Sequence, residues 1–502
     1  MGPFASFAAG FSFVSILTTV FQLFGLGFGF GGAAFFWTWP AVFAGQLLVG
    51  LCFAELAARF PISGAIFQWS SRLAGTDFGW FTGWVMLVGQ VVAVATAATA
   101  MQAVLPTIWP GFQVIGGPGA SPDPTSATGA QNAVLLGLAV LVLTTIINVA
   151  GVRVMAVFNS IGVSIEIVGV AVLVVILLAR SERSPAAVLS TAGAAHGPYL
   201  PLWLASSLVA AYVLVGFDSA GELSEETRAP RRTTPRTIVR ALVASGVGGF
   251  LLILGGILAA PSLSDGTLAR QGLAWVLTSR VGDIGGRILL LSVAMSIFAC
   301  TLAVQASGSR MVFSMARERS LPCSRRLSGV SKGTGTPVGA AVTVGAGAAI
   351  VLALNWNQQA VFTALASIAV ALIYLAYLGV TVPLLVHRVR DREQGRGVAE
   401  DGRPLFSLRR FGTPVTLAAV LYQVGMVVNL MWPRTAVYDL TGHTWWLKWS
   451  ALLFLGLILS VGAGIHLRTR THRGGPIVLD PLDTSARPRE VGSPSDARGS
   501  GP

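Results

Sequence analysis

FASFAAGFSFVSILTTVFQLFGLGFGF, residues Phe4–Phe30, runs without a single Asp, Glu, Lys or Arg. A helix needs roughly 17 to 25 such residues to cross about 30 Å of hydrocarbon, so this stretch reads as a membrane span. Its middle is less uniform than its ends. Gly10, Ser12, Ser15, Thr18 and Thr19 put small and hydroxyl-bearing residues at mid-membrane, followed by β-branched ones, and no Pro intervenes. GFDSAGE, residues Gly216–Glu222, repeats the theme inside another apolar window, with Asp218, Ser219 and two glycines. Backbone groups in lipid must be paired, so an interrupted helix at this depth survives only where protein or a water-lined cavity surrounds it.

Outward from these two stretches, apolar windows recur at about Phe4–Phe30, Trp39–Ala58, Phe78–Leu105, Ala133–Val149, Val157–Leu178 and Leu200–Ser224. A second set lies at about Ile238–Ala260, Ile288–Val304, Val338–Leu354, Val361–Val386, Val415–Met431 and Trp445–Ile465. The expected fold is therefore an all-α membrane protein of about twelve helices. The roughly ten-residue alternating segments of a membrane barrel are absent. Only 11% of the residues are charged and the mean hydropathy is +0.71, far from the balance of a soluble domain.

The net charge of +13 sits between the windows and so reports topology, not nucleic acid. With the N-terminus inside, 27 of the 34 Lys and Arg residues fall in cytoplasmic segments. The positive-inside rule then predicts a multi-pass protein of the cell membrane with both termini cytoplasmic. No Lys or Arg precedes Arg59, so the first window lacks the basic start of a signal peptide and is expected to be retained. Residues 1–473 form the expected transmembrane domain, and 474–502, rich in Pro, Gly, Ser and charge, an expected disordered cytoplasmic tail. Pro106–Gln131 reads as an irregular external loop, and Leu268–Arg287 as a short extracellular helix over the bundle.

The two interruptible stretches open successive groups of five spans, the pattern that points to a solute site in inverted-repeat carriers. A half-helix N-terminus offers free amides and a positive dipole end to a carboxylate, while unwound carbonyls suit an ammonium. Asp218 near mid-span costs at least a few kcal/mol unless it faces a cavity or a partner. Glu166 carries the same cost with no basic residue in its own span, and reads equally as a transport residue or as a structural hydrogen-bonding group. Glu55 reads as the partner of an arginine. Glu222, Glu225 and Glu226 read as a solvated interfacial cluster, with pairing to Arg310 or Arg317 as an inner gate the rarer alternative. Tyr212 is a candidate lining residue and Trp203 an interface anchor. Gly25, Gly27, Gly29, Gly31 and Gly32 form a ladder suited to close helix packing.

Ala9–Phe13, Gly31-Gly32, Trp39-Pro40, Phe53–Ala57 with Pro61, Gly64 and Gln68–Ser70 follow one another in an ordered series. It continues through Asn148–Arg153, Glu166, Gly216–Asp218, Glu225-Glu226, Pro230, Ser309-Arg310, Leu321-Pro322 and Thr336-Pro337. This series resembles the amino acid-polyamine-organocation transporter superfamily, and within it the amino acid/choline branch. The resemblance implies a LeuT-type fold of five plus five inverted repeats with two extra helices, and a solute held between helices one, three, six, eight and ten. It puts the carboxylate clamp at Ser12, Phe13, Val14, Ser15 and Ile16, and the remaining solute contacts at Tyr212, Gly216, Asp218 and Ser219. Glu166 and Glu222 become coupling or gating candidates.

Two departures stand out. Phe13-Val14-Ser15 replaces the Gly-Ser-Gly of many relatives, and Gly162 stands where several proton-coupled relatives carry a lysine. The implied function is a secondary active permease for amino acids or related organic amines, without cofactor, coupled to a proton or sodium gradient. A choline- or polyamine-type cation carrier and a transporter-like sensor are the alternatives. An enzyme is not indicated: the five histidines lie in loops or at span ends, and neither H-E-x-x-H nor G-x-S-x-G occurs. No span has the repeated polar face of a channel. Cys52, Cys300 and Cys323 are too scattered for a disulfide framework or metal cluster.

Overall fold

The computed structural model describes residues 3–123, 126–264, 266–354, 356, 361–390, 405–438 and 444–470. The proposed tail, 474–502, lies outside them, as does the part of the basic loop at 391–404. Among the described residues the chain is helical without strands. Among the described residues nine helical stretches are long and apolar enough to cross a membrane; one of these, Phe4–Arg59, contains two spans, and the shorter Tyr199–Val213 and Val338–Leu354 bring the crossings to twelve.

The first span is split into α1 (Pro3–Val14) and α2 (Ile16–Gly31), and α3 (Thr38–Arg59) returns beside it. Then come the short α4 (Ala65–Ala74) and the spans α5 (Thr76–Thr99), α6 (Ala127–Ala150) and α7 (Val152–Ala179). The sixth span is built from three pieces, α8 (Tyr199–Ser206), α9 (Leu208–Val213) and α10 (Ser219–Glu222). The remaining spans are α11 (Pro230–Ala259), α12 (Thr267–Arg317), α13 (Val338–Leu354), α14 (Val361–Arg390), α15 (Gly412–Met431) and α16 (Ser450–Arg470).

With no water to drive helices together in lipid, close approach is what holds such a bundle, and small residues permit it. A side-chain carbon added at Gly25 would fall 2.7 Å from the Ala269 carbonyl oxygen, and one at Gly27 2.6 Å from Val209, so the glycine ladder of α2 is packed against α12 and α9. The external helix expected at Leu268–Arg287 is the start of α12, bent at Gly272 and Gly282 and laid against α2. Burial grades from centre to rim: 83% of the apolar window of the α5 region is buried but only 22% of that of α16, which leaves the last helix facing lipid.

At the C-terminal end of α3 the sequence reading of Glu55 is realised. Its carboxylate accepts from Arg59 and Arg388, both at 2.6 Å, and from the Leu408 amide at 3.2 Å, tying α3 to α14 and to the segment before α15.

Candidate functional site

The break in the first span is one residue wide. Ser15 leaves the helical region (φ 19°, ψ 102°) and becomes the N-cap of α2, its Oγ accepting from the Thr18 amide at 3.4 Å. A helix start leaves its first amides without intrahelical acceptors. Here Glu166, reaching in from α7, supplies one: its Oε1 accepts from Ser15 Oγ at 2.9 Å and from the Leu17 amide at 3.2 Å. The other carboxylate oxygen, Oε2, is buried without a partner. One turn earlier on α7, a carbon added at Gly162 would lie 2.3 Å from the Ala299 Cβ, so the position has no room for a lysine.

The break in the sixth span is wider. Helix α9 stops at Val213, and α10, a single turn, starts only at Ser219. Between them Gly216 takes φ +88°, a conformation glycine adopts freely and other residues rarely do. The hydroxyl of Tyr377, from α14, accepts from the Gly216 amide at 3.0 Å and donates to Asp218 Oδ1. Phe53, Phe217 and Tyr377 pack around this point with ring centroids 4.9 to 5.7 Å apart.

The two breaks abut. A carbon on Gly216 would fall 1.7 Å from the Phe13 ring, and one on Gly10 would touch Ala220 at 3.4 Å. Around the contact, Ser12 Oγ, Glu166 Oε2, Asp218 Oδ2, Ser219 Oγ and both oxygens of Glu222 are buried without hydrogen-bond partners. Glu222 faces the backbone amides that open α4, at Gly64, Ala65 and Ile66. Among the described residues no Lys, Arg or His pairs with Glu166, Asp218 or Glu222.

Of the residues singled out in the sequence, Ser12, Phe13 and Val14 form the last turn of α1, Ser15 is the break itself, and Ile16 is the first residue of α2. Gly216, Asp218 and Ser219 lie opposite them. Tyr212 stands on α9 beside Thr96 and Cys300. The Cys300 thiol in turn donates to the Phe13 carbonyl at 3.6 Å.

The solvated reading of the acidic cluster is corrected. Glu226 pairs with Arg310 and Glu225 with Arg317, each at 3.2 Å, and Glu225 also accepts from the Ser63 amide. Arg310 is only 3% exposed; its Nη1 donates to the Ala306 carbonyl and to Ser309 Oγ on its own helix, and its Nε to Glu226. Glu222 joins neither pair. Trp203 donates to the Ala34 carbonyl at 2.9 Å.

Tyr377 escaped the sequence reading, and Phe53 entered it only within the Phe53–Ala57 stretch, not as a site residue. The available signal was Tyr374 and Tyr377, two of only six tyrosines in the chain, three positions apart in one apolar window. Tyr374 does not touch Asp218; its hydroxyl meets that of Tyr422 on α15 at 2.8 Å. No cluster of three or more metal-ligating side chains occurs among the described residues.

The sequence matches the family model for amino acid permeases over residues 2–458. It is similar to the amino-acid permease BAT1 of Arabidopsis thaliana, 26% identical with 91% of this chain and 89% of the relative covered. A homologue of BAT1 in Oryza sativa subsp. japonica is 27% identical over 94% of this chain and 91% of its own length. The thiamine transporter thi9 of Schizosaccharomyces pombe is 24% identical over 74% of this chain and 69% of its length. With its twelve helical crossings and a family match over nearly all of its length, this chain belongs to the amino acid permease family, a family of transporters and not of enzymes.

Proposed function

We propose that this permease is a secondary active transporter of amino acids or related organic amines. It holds its solute between the interrupted first and sixth spans and exposes it alternately to the two sides of the plasma membrane. One observation carries this reading: two broken helices meet in the centre of the bundle and leave a cluster of buried polar atoms unpaired, Ser12 Oγ, Asp218 Oδ2 and Ser219 Oγ among them. Each such group costs about 1 to 3 kcal/mol when left unsatisfied, a cost that a polar solute relieves.

On one side of the breaks a cavity of about 470 Å³ is lined by Gln22, Gly25, Gln102, Arg270 and Trp275. On the other, the Arg310–Glu226 and Arg317–Glu225 pairs join α12 to the end of the sixth span. Alternating access in this scheme opens the paired side as the cavity side closes. Glu166 and Glu222 are the candidate coupling groups, and a lysine route through α7 is blocked at Gly162.

Uptake of labelled amino acids, γ-aminobutyrate, choline and polyamines into proteoliposomes, with and without imposed proton or sodium gradients, tests the proposal. Gradient-driven accumulation of at least one solute is expected; binding without accumulation would favour a sensor. For topology, both termini are proposed to be cytoplasmic. Cys323 is exposed on the Arg317 side, whereas Cys52 and Cys300 are buried. An impermeant thiol reagent should therefore leave intact cells unlabelled and modify Cys323 only after lysis; labelling in sealed cells would invert the topology.

A further inference from the structure

The first break differs from a free anion site in one respect: a carboxyl side chain already sits in it. Glu166 accepts from Ser15 Oγ and from the Leu17 amide through the same oxygen, and Ser15 holds Thr18 in turn at 2.6 Å. These are the donors that a helix start offers to a carboxylate or phosphate. Helix α2 is 16 residues long, so its dipole end is fully developed, and Glu166 takes it up from inside the fold. Its second oxygen is buried and unpartnered.

The second break has the opposite character. Asp218 keeps one oxygen unpartnered amid Phe53, Phe217 and Tyr377, and buried carboxylates beside aromatic faces attract cations. Charge makes the same point. Glu166, Asp218 and Glu222 are each at 0% exposure, and among the described residues no basic side chain pairs with any of them. The buried arginines Arg310 and Arg388 are committed to Glu226 and Glu55. A solute carboxylate would enter a site that already holds three carboxyl groups without a basic partner and whose amide seat is taken, whereas a protonated amine would find in Asp218 an acceptor without a basic partner.

We propose that the Glu166 carboxyl group is a built-in occupant of the amide seat of the first break, so that the solute is an organic amine bringing no carboxylate of its own to that seat. The inference rests on the permease reading and narrows its substrate class. Ser15 and Glu166 are thereby specificity-determining, Asp218 and its aromatic neighbours cation-binding.

Matched pairs provide the test: lysine and cadaverine, arginine and agmatine, phenylalanine and phenethylamine, assayed for binding to the purified full-length protein in nanodiscs. In at least one pair the amine should bind wild type at least tenfold more tightly than its amino acid. Glu166→Ala empties the seat and should cut that preference by tenfold or more, whereas Glu166→Gln still accepts from Ser15 and Leu17 and should retain it. A preference for the amino acid, a preference for the amine below tenfold, or an Ala variant with unchanged preference would overturn the inference and leave the permease reading standing. If Glu166→Ala fails to fold, wild type and Glu166→Gln decide it by the same criterion. Binding of no member of any pair would count against the site between the breaks itself, and the inference would go with it.

Discussion

The two helix breaks lie against each other yet are built on opposite plans. The first is a single residue, Ser15, whose neighbouring donors are met by its own hydroxyl and by Glu166. The second takes the chain from Val213 to Ser219, pivots on a positive-φ glycine, is steadied by the Tyr377 hydroxyl, and leaves Asp218, Ser219 and Glu222 with unpaired oxygens. At the first break the amides that open α2 find acceptors and only Ser12 Oγ and Glu166 Oε2 are left over, whereas the second leaves four carboxyl and hydroxyl oxygens unmet; a largely met set holds a fixed geometry and an unmet one waits for a partner. The first break is thus the scaffold of the site and the second its working face, so substitutions in the second should cost transport more than substitutions in the first.

The largest effect is expected at Asp218. Asp218→Asn keeps the shape and removes the charge; if the carboxylate faces a cation in a poorly solvated site, the loss is on the order of several kcal/mol, well above a neutral hydrogen bond. Uptake should fall by more than about a hundredfold with membrane insertion unchanged. Near-normal uptake by a well-expressed variant would move the amine to the break's carbonyls alone.

Gly216→Ala comes next. A Cβ there would meet the Phe13 ring at 1.7 Å, and φ +88° is strained for alanine by roughly 1 to 2 kcal/mol even after the ring moves. Uptake should drop by more than about tenfold. Adding Phe13→Ala should restore only part of it, since the backbone strain persists; full restoration would mean the ring contact is the whole effect.

Tyr377→Phe removes one hydroxyl that serves both Gly216 and Asp218. At about 1.5 kcal/mol for a hydrogen bond to a charged group, uptake should fall about tenfold. The smallest change is expected at the scaffold. Ser15→Ala loses an N-cap, about 1 kcal/mol, and should reduce uptake or thermal stability only a few-fold because Glu166 still meets the Leu17 amide. A larger loss for Ser15→Ala than for Tyr377→Phe would reverse the assignment of scaffold and working face.

Much of this arrangement could be read from the sequence, for a physical reason. Lipid enforces long apolar runs and pushes arginines to their ends, so most spans were legible to within several residues, although Ile288–Val304 covers only part of α12, and the small and polar residues near Ser15 and Gly216 marked both interruptions. The partners were not legible. That Glu166 would cap α2 depends on α7 crossing beside α1, and that Tyr377 would hold Asp218 depends on α14 meeting the sixth span. Both pairings join residues more than 150 positions apart, 151 and 159 respectively. Local periodicity says which side chains are apolar, not which distant helix they meet. The acidic cluster was misread for the same reason, since its solvated appearance ignored that Arg310 on α12 would be buried against Glu226.

The central claim is that the solute sits between the two breaks. A cryo-EM structure of the full chain in nanodiscs with a transported solute tests it most directly. Density in contact with Asp218 and the backbone of 214–216, opposite Phe13, is the predicted result. Solute density confined to the cavity between Gln22 and Trp275, with the breaks unchanged and Asp218 out of contact, would contradict it.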